Sequence, residues 1–168
     1  SYKINKEKSY PIIFGLHGYM GTASGFQKET TKGMNLLAEK ENIIIVYPQG
    51  SHFYSLPQDK SSFVSSWNDL VSNKAQELGK PRKCSLDRVN YPKPPECSNF
   101  TFCAWTSCYD DLGFLKSVIE EVSSGYRVDK KRRYMIGMSN GGAMTYRFSC
   151  TYPEMLSASI AVSSSIAV

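Results

Sequence analysis

The sequence predicts an α/β domain, a mostly parallel sheet with helices on both faces. Three observations carry this expectation. Short apolar runs alternate with helix-like segments along the chain, which implies parallel strands joined by helical crossovers. One run, Ile43 to Val46, has four β-branched residues in a row, the composition of a buried strand. Another, Tyr134 to Met138, leads directly into Gly137-Met138-Ser139-Asn140-Gly141 and then into a helix-capable segment. At 168 residues without internal repeats, the chain has room for one domain with a real core.

The elements follow in order. Tyr2 to Ile4 reads as the tail of an earlier strand. Tyr10 to Leu16 is a buried parallel strand that ends at His17-Gly18, with Gly15 and Gly18 bracketing the turn. Met34 to Lys40 is a helix with Leu36, Leu37 and Ala38 as its apolar part. Ile43 to Tyr47 is expected to be a central strand, stopped by Pro48 and Gly50. Asp110 to Val122 is an amphipathic helix: Asp110 or Asp111 caps it, and Phe114, Leu115, Val118, Ile119 and Val122 recur at helical spacing. Tyr134 to Met138 is a strand, Ala143 to Tyr152 a helix ended by Pro153, and Leu156 to Val162 a further buried strand.

Between Gly50 and Tyr109 the periodicity disappears. Residues 51–109 therefore read as a Cys/Pro-rich insertion or lid-like loop within a single, incomplete domain over 1–168. It leaves the carboxyl end of a strand, the edge where active sites of such sheets lie, so it either borders a site or is a tolerated insertion. Trp67, inside it, either anchors the loop or contacts a substrate. Cys84, Cys97, Cys103 and Cys108 crowd this segment, and Cys150 falls on the helix after Ser139. Without zinc-like spacing they are disulfide candidates, one possible pair being Cys108 with Cys150. Asn99-Phe100-Thr101 is a glycosylation acceptor pattern. Together these features favour a secreted or secretory-lumen setting.

The net charge of +5 is modest, and its densest cluster, Lys130-Lys131-Arg132-Arg133, lacks interleaved aromatics. It reads as a solvated loop, and no nucleic-acid partner is expected. No apolar run approaches the ~20 residues that span a bilayer, and no metal or other cofactor is indicated.

The stretch Tyr134 to Met144 carries the chemistry. An apolar strand, then Gly-x-Ser-x-Gly, then a helix is the pattern of a nucleophile elbow. The turn strains the backbone at the serine and crowds its neighbours, so Gly137, Gly141 and Gly142 supply room. Ser139 is expected at a strand-to-helix turn facing a cleft, with helix N–H groups ready for a developing oxyanion.

Six ordered blocks resemble one family: Leu16-His17-Gly18-Tyr19; Tyr47-Pro48-Gln49-Gly50; Ser66-Trp67-Asn68-Asp69; Asp110 to Phe114; Asp129 with Arg132; and Gly137 to Gly142. It is the polyhydroxybutyrate depolymerase and feruloyl esterase group of α/β-hydrolases. The resemblance implies a secreted serine esterase that opens carboxylic esters of polyesters or plant cell walls through an acyl-enzyme. It further implies that Ser139 is the nucleophile and that the N–H groups of Tyr19 and Asn140 form the oxyanion hole. His17, His52 and Trp67 are candidates to line the substrate site.

The chain departs from that family after Ser139. The triad order in this fold is serine, then acid, then histidine. Only Glu154 follows as a carboxylate, and both histidines, His17 and His52, precede the serine. Glu154 is expected on the surface, His17 in the turn, and His52 near enough to the sheet edge to be considered as a base, with Asp59 and Asp69 the nearest downstream acids. The simpler expectation is that the fold is truncated after the strand following the Ser139 helix, with the base and acid lying beyond Val168. Another polypeptide segment would then complete it, and the 168 residues alone would be inactive. Two other readings stay open: a non-catalytic binding or structural module, and a peptidase or acyltransferase on the same scaffold.

Overall fold

The computed structural model describes residues 7–30, 33–56, 59–70 and 109–164, with 53–56 and 59–64 described by backbone only. The expectations for Tyr2 to Ile4, Asn99 and the four cysteines from Cys84 to Cys108 lie outside these residues. The elements are β1 (Tyr10–Leu16), α1 (Ala23–Glu29), α2 (Gly33–Glu41), β2 (Ile44–Val46), β3 (Ser51–Leu56), β4 (Asp59–Ser66), α3 (Asp111–Gly125), β5 (Val128–Met138), α4 (Asn140–Thr151), a short 3-10 turn (Pro153–Met155) and β6 (Ala158–Val162).

Among the described residues, β2, β1, β5 and β6 form one sheet in that order, every pairing parallel. Side chains alternate between the two faces along β1 and β5. Ile12, Phe14, Leu16 and Met135 point to one face and share a core with Leu115 and Ile119 of α3 and Met144 and Phe148 of α4. Ile13, Tyr134 and Ile136 point to the other, where they meet Met34 and Leu37 of α2. Helices thus cover both faces, as a parallel sheet requires.

Helix α3 begins at its expected cap: the Asp110 carboxylate accepts from the Gly113 N–H at 2.9 Å. Several expectations need correction. The Ile43 to Tyr47 run forms only the short strand β2, half-buried at the edge of the described sheet rather than central. Strand β6 is mostly exposed, not buried, with Ile160 at 59%. The basic run 130–133 falls within the bounds of β5, but the register with β1 shifts there and of the run only Arg133 is paired, so its exposed charges bulge from the strand; Arg132 Nε pairs with Asp129 at 2.7 Å. Helix α4 starts at Asn140, three residues earlier than Ala143. The stretch after Gly50 contains the antiparallel hairpin β3–β4, and residues 23–29, to which the sequence assigns no element, form α1, capped by Thr22. Glu154 is exposed on the 3-10 turn, as expected.

Candidate functional site

The site is the junction of β5 and α4. Strand β5 ends at Met138, α4 begins at Asn140, and the single residue between them is Ser139. Its backbone sits at φ 52° and ψ −120°, a region that a residue with a Cβ rarely adopts. Its N–H donates to the carbonyl of Val162 at the end of β6, 2.8 Å away. Its hydroxyl makes no capping bond to the helix, and the residue is half-buried.

The surrounding glycines are there for space. A Cβ on Gly137 would collide with the Gly141 carbonyl, and one on Gly141 would collide with the carbonyls of Leu16 and His17. The first turn of α4 therefore lies directly on the end of β1. Gly18 faces the serine from the other side: a Cβ there would stand 3.5 Å from Ser139 Cβ. The turn after His17-Gly18 thus passes beside the serine. Tyr19, half-buried, and Met20, exposed, continue it.

That turn is held from beneath. His17 is fully buried, and its Nε2 accepts from the Gly50 backbone N–H at 3.0 Å. A backbone N–H can only donate, so Nδ1 carries the ring proton and donates to the Gly18 carbonyl at 2.8 Å. Burial holds the imidazole pKa below its ordinary value, against the opposing effects of the Gly18 bond and Glu29. His17 is therefore a neutral brace, not a wall of a substrate pocket. Trp67 is likewise fully buried: its indole N–H donates to the His17 carbonyl at 2.9 Å, and Gly50 leaves room for its ring. It anchors its loop and presents no surface to a ligand. His52 is exposed on β3, opposite Ser65 of β4. The hairpin meets the turn through Ser65, whose carbonyl accepts from the Met20 N–H at 2.8 Å and whose hydroxyl donates to the Gly21 carbonyl.

Asn140 is 3% exposed, although it opens a helix. Its Oδ1 accepts from the Trp67 N–H at 2.7 Å; its Nδ2 donates to the Trp67 carbonyl at 3.0 Å and to Asp69 Oδ2 at 2.6 Å. The Asn68 N–H donates to Asp111 Oδ2 at 2.6 Å, and Arg147 of α4 donates to the Asn68 carbonyl. Burial pushes the Asp111 carboxyl up to about 6, against the Asn68 bond and the Arg147 charge. Nothing in the sequence alone assigns these supporting roles to Asp69, Asp111 or Arg147. One signal was available: Asn140, Ala143 and Arg147 stand at helical spacing on one face of α4. Cys150 is exposed and unbridged among the described residues. No cluster of metal-ligating side chains occurs among the described residues.

No protein-family model and no curated protein matches the sequence. Solved structures do match its fold. An acetyl xylan esterase from Aspergillus awamori superposes with a TM-score of 0.59 at 18% identity, over 95% of this chain and 43% of its own. A ferulic acid esterase matches with a TM-score of 0.52 at 18% identity, over 97% of this chain and 49% of its own. FphF, a fluorophosphonate-binding serine hydrolase of Staphylococcus aureus, matches with a TM-score of 0.52 at 12% identity, over 98% and 47%. The chain thus spans less than half the length of each of these three structures. Parallel strands, helices on both faces and esterase structures covering nearly the whole chain lead to one conclusion: this chain has the α/β-hydrolase fold.

Proposed function

We propose that the chain carries the nucleophile and oxyanion side of a serine carboxylic-ester hydrolase. The observation that carries this reading is the backbone of Ser139, held at φ 52° on the one-residue turn between β5 and α4. Strain of this kind persists only where the surroundings impose it, and in a nucleophile elbow it serves to present the hydroxyl beyond the end of the sheet. In this mechanism Ser139 Oγ attacks the ester carbonyl as a base takes its proton, the tetrahedral intermediate expels the alcohol with that proton to give an acyl-serine, and water then releases the acid and frees Ser139. The N–H groups of Asn140 and Tyr19 receive the oxyanion. His17 does not serve as the base, because its Nε2 is committed to Gly50 and its Nδ1 to Gly18. We assign the base and its orienting acid to polypeptide following Val168. The neighbouring structures, about twice as long as this chain, support that assignment.

The proposed substrates are esters of the polyester or plant cell-wall phenolic type, met outside the cell by a secreted, disulfide-bonded and Asn99-glycosylated protein. The motif blocks from Leu16 to Gly142 are the support for this class. The test is direct. The natural polypeptide should hydrolyse an activated short-chain acyl ester and be labelled by a fluorophosphonate, and Ser139→Ala should remove both. The 168-residue chain alone should show no turnover above background. A natural polypeptide that is neither labelled nor active would sink the reading in favour of a non-catalytic module.

A further inference from the structure

We propose that the side chain of Asn140 is a positioning group: gripped by the Trp67 backbone and the Asp69 carboxylate, it fixes the peptide N–H that would receive the oxyanion. This inference rests on the esterase reading above and adds to it a structural cause. The first residue of a helix normally turns its side chain to water or caps its own turn. Asn140 does neither; it is 3% exposed and reaches back across 73 residues of sequence.

The match is chemical as well as spatial. The Trp67 peptide groups offer one donor and one acceptor, and the Asn140 carboxamide answers both, at 2.7 and 3.0 Å, as a neighbouring strand would. Its second amide hydrogen goes to Asp69 Oδ2 at 2.6 Å, and the Trp67 N–H, which can only donate, fixes which end of the carboxamide is oxygen. At this side-chain length only a carboxamide offers an acceptor together with two donors. The anchor itself is immobile. Trp67 is locked to the His17 carbonyl through its indole at 2.9 Å, and the next residue, Asn68, to Asp111 at 2.6 Å. The same carbonyl belongs to the turn that carries Tyr19. One tryptophan therefore ties both proposed oxyanion donors to a common reference. Small displacements of such donors are costly, because their worth depends on aim at the oxyanion.

The test uses the natural polypeptide and three substitutions. Asn140→Ala should lower kcat about 10- to 100-fold while KM stays within about 3-fold, since the donor is misaimed rather than the substrate pocket removed. Asp69→Ala should follow in the same direction. Asp69→Asn, which keeps an acceptor oxygen, should retain most of the activity. Hydrogen exchange supplies a readout independent of turnover: the peptide spanning the first turn of α4 should exchange about 10-fold faster in Asn140→Ala, with β1 and β5 unchanged. If that peptide exchanges as in the parent, the positioning role is overturned, whatever the activity. Equal exchange of every element would overturn it too, by showing a merely global loss of stability. A parent without esterase activity in which exchange still rises locally would retire the ester-cleaving reading and keep the tether.

Discussion

The carboxyl ends of β1 and β5 and the outer face of β6 belong to one sheet but are held in opposite ways. At the strand ends, contacts are polar, short and distant in sequence: Trp67 with Asn140, Gly50 with His17, Asn68 with Asp111. Backbones approach so closely there that Gly141 tolerates no Cβ. At the outer face the contacts are apolar and loose. A groove of about 260 Å³ lies between α2 and β6, bordered by Leu37, Ile136 and Ile160, and its lining is almost wholly carbon. Geometry is thus concentrated where chemistry would need it. The outer face contributes to the serine chiefly through one backbone bond, from Ser139 N–H to the Val162 carbonyl.

The largest effect that would break this contrast is steric. Gly141→Val would drive side-chain atoms into the Leu16 and His17 carbonyls, neither of which can move without shifting β1. We expect a loss of about 4 kcal/mol or more, or no soluble protein, as read by denaturant unfolding. An equally stable variant would show that the junction is not tightly packed.

A second effect is electrostatic and concerns Asp111. Its pKa is raised in the folded state to about 6, above the usual carboxylate value, chiefly by burial. The folded form binds the proton more tightly than the unfolded chain does. The associated stability is therefore fully present below about pH 4 and is lost as pH rises through about 6, up to about 3 kcal/mol. Other carboxylates titrate in the same range, so the informative quantity is a difference. Unfolding free energies of the parent and Asp111→Asn, compared between about pH 4 and 7, should show the variant lacking this falling limb. Parallel curves would mean that Asp111 titrates as an ordinary surface group.

The smallest effect lies on the other side of the comparison. Ile160 is 59% exposed, so Ile160→Ser should change stability by less than about 0.5 kcal/mol and leave fluorophosphonate labelling of Ser139 unchanged. A marked loss of labelling would mean that the β6 face controls the serine after all.

Much of the scaffold was legible because its signals are local. β1 was placed residue for residue, and α3 was readable from its cap and its apolar spacing. The Ser139 turn announced itself through glycines whose need is steric. What escaped depends on partners far along the chain. The 130–133 segment reads as loop because it bulges out of register between Val128 and Arg133, and its local charge pattern does not show that the strand resumes on either side. Ile43 to Val46 reads as central because composition reports apolar character and not sheet order. The hairpin's serines carry little apolar alternation. Asn140 was read for its backbone alone, since nothing near it in sequence predicts that its carboxamide finds Trp67.

That long reach has a temporal consequence. During synthesis, the receptor for the carboxamide emerges with Trp67, 73 residues before the group that fills it. The serine turn can be drawn into its final shape only once those distant stretches have met, and closing so wide a loop is among the slower events in a chain's assembly. The junction would then be finished late, so a partly folded molecule would hold Ser139 without the frame that shapes its turn. In refolding experiments on the natural polypeptide, fluorophosphonate labelling should lag behind the appearance of secondary structure. Labelling that keeps pace with it would show that the turn sets itself without the tether.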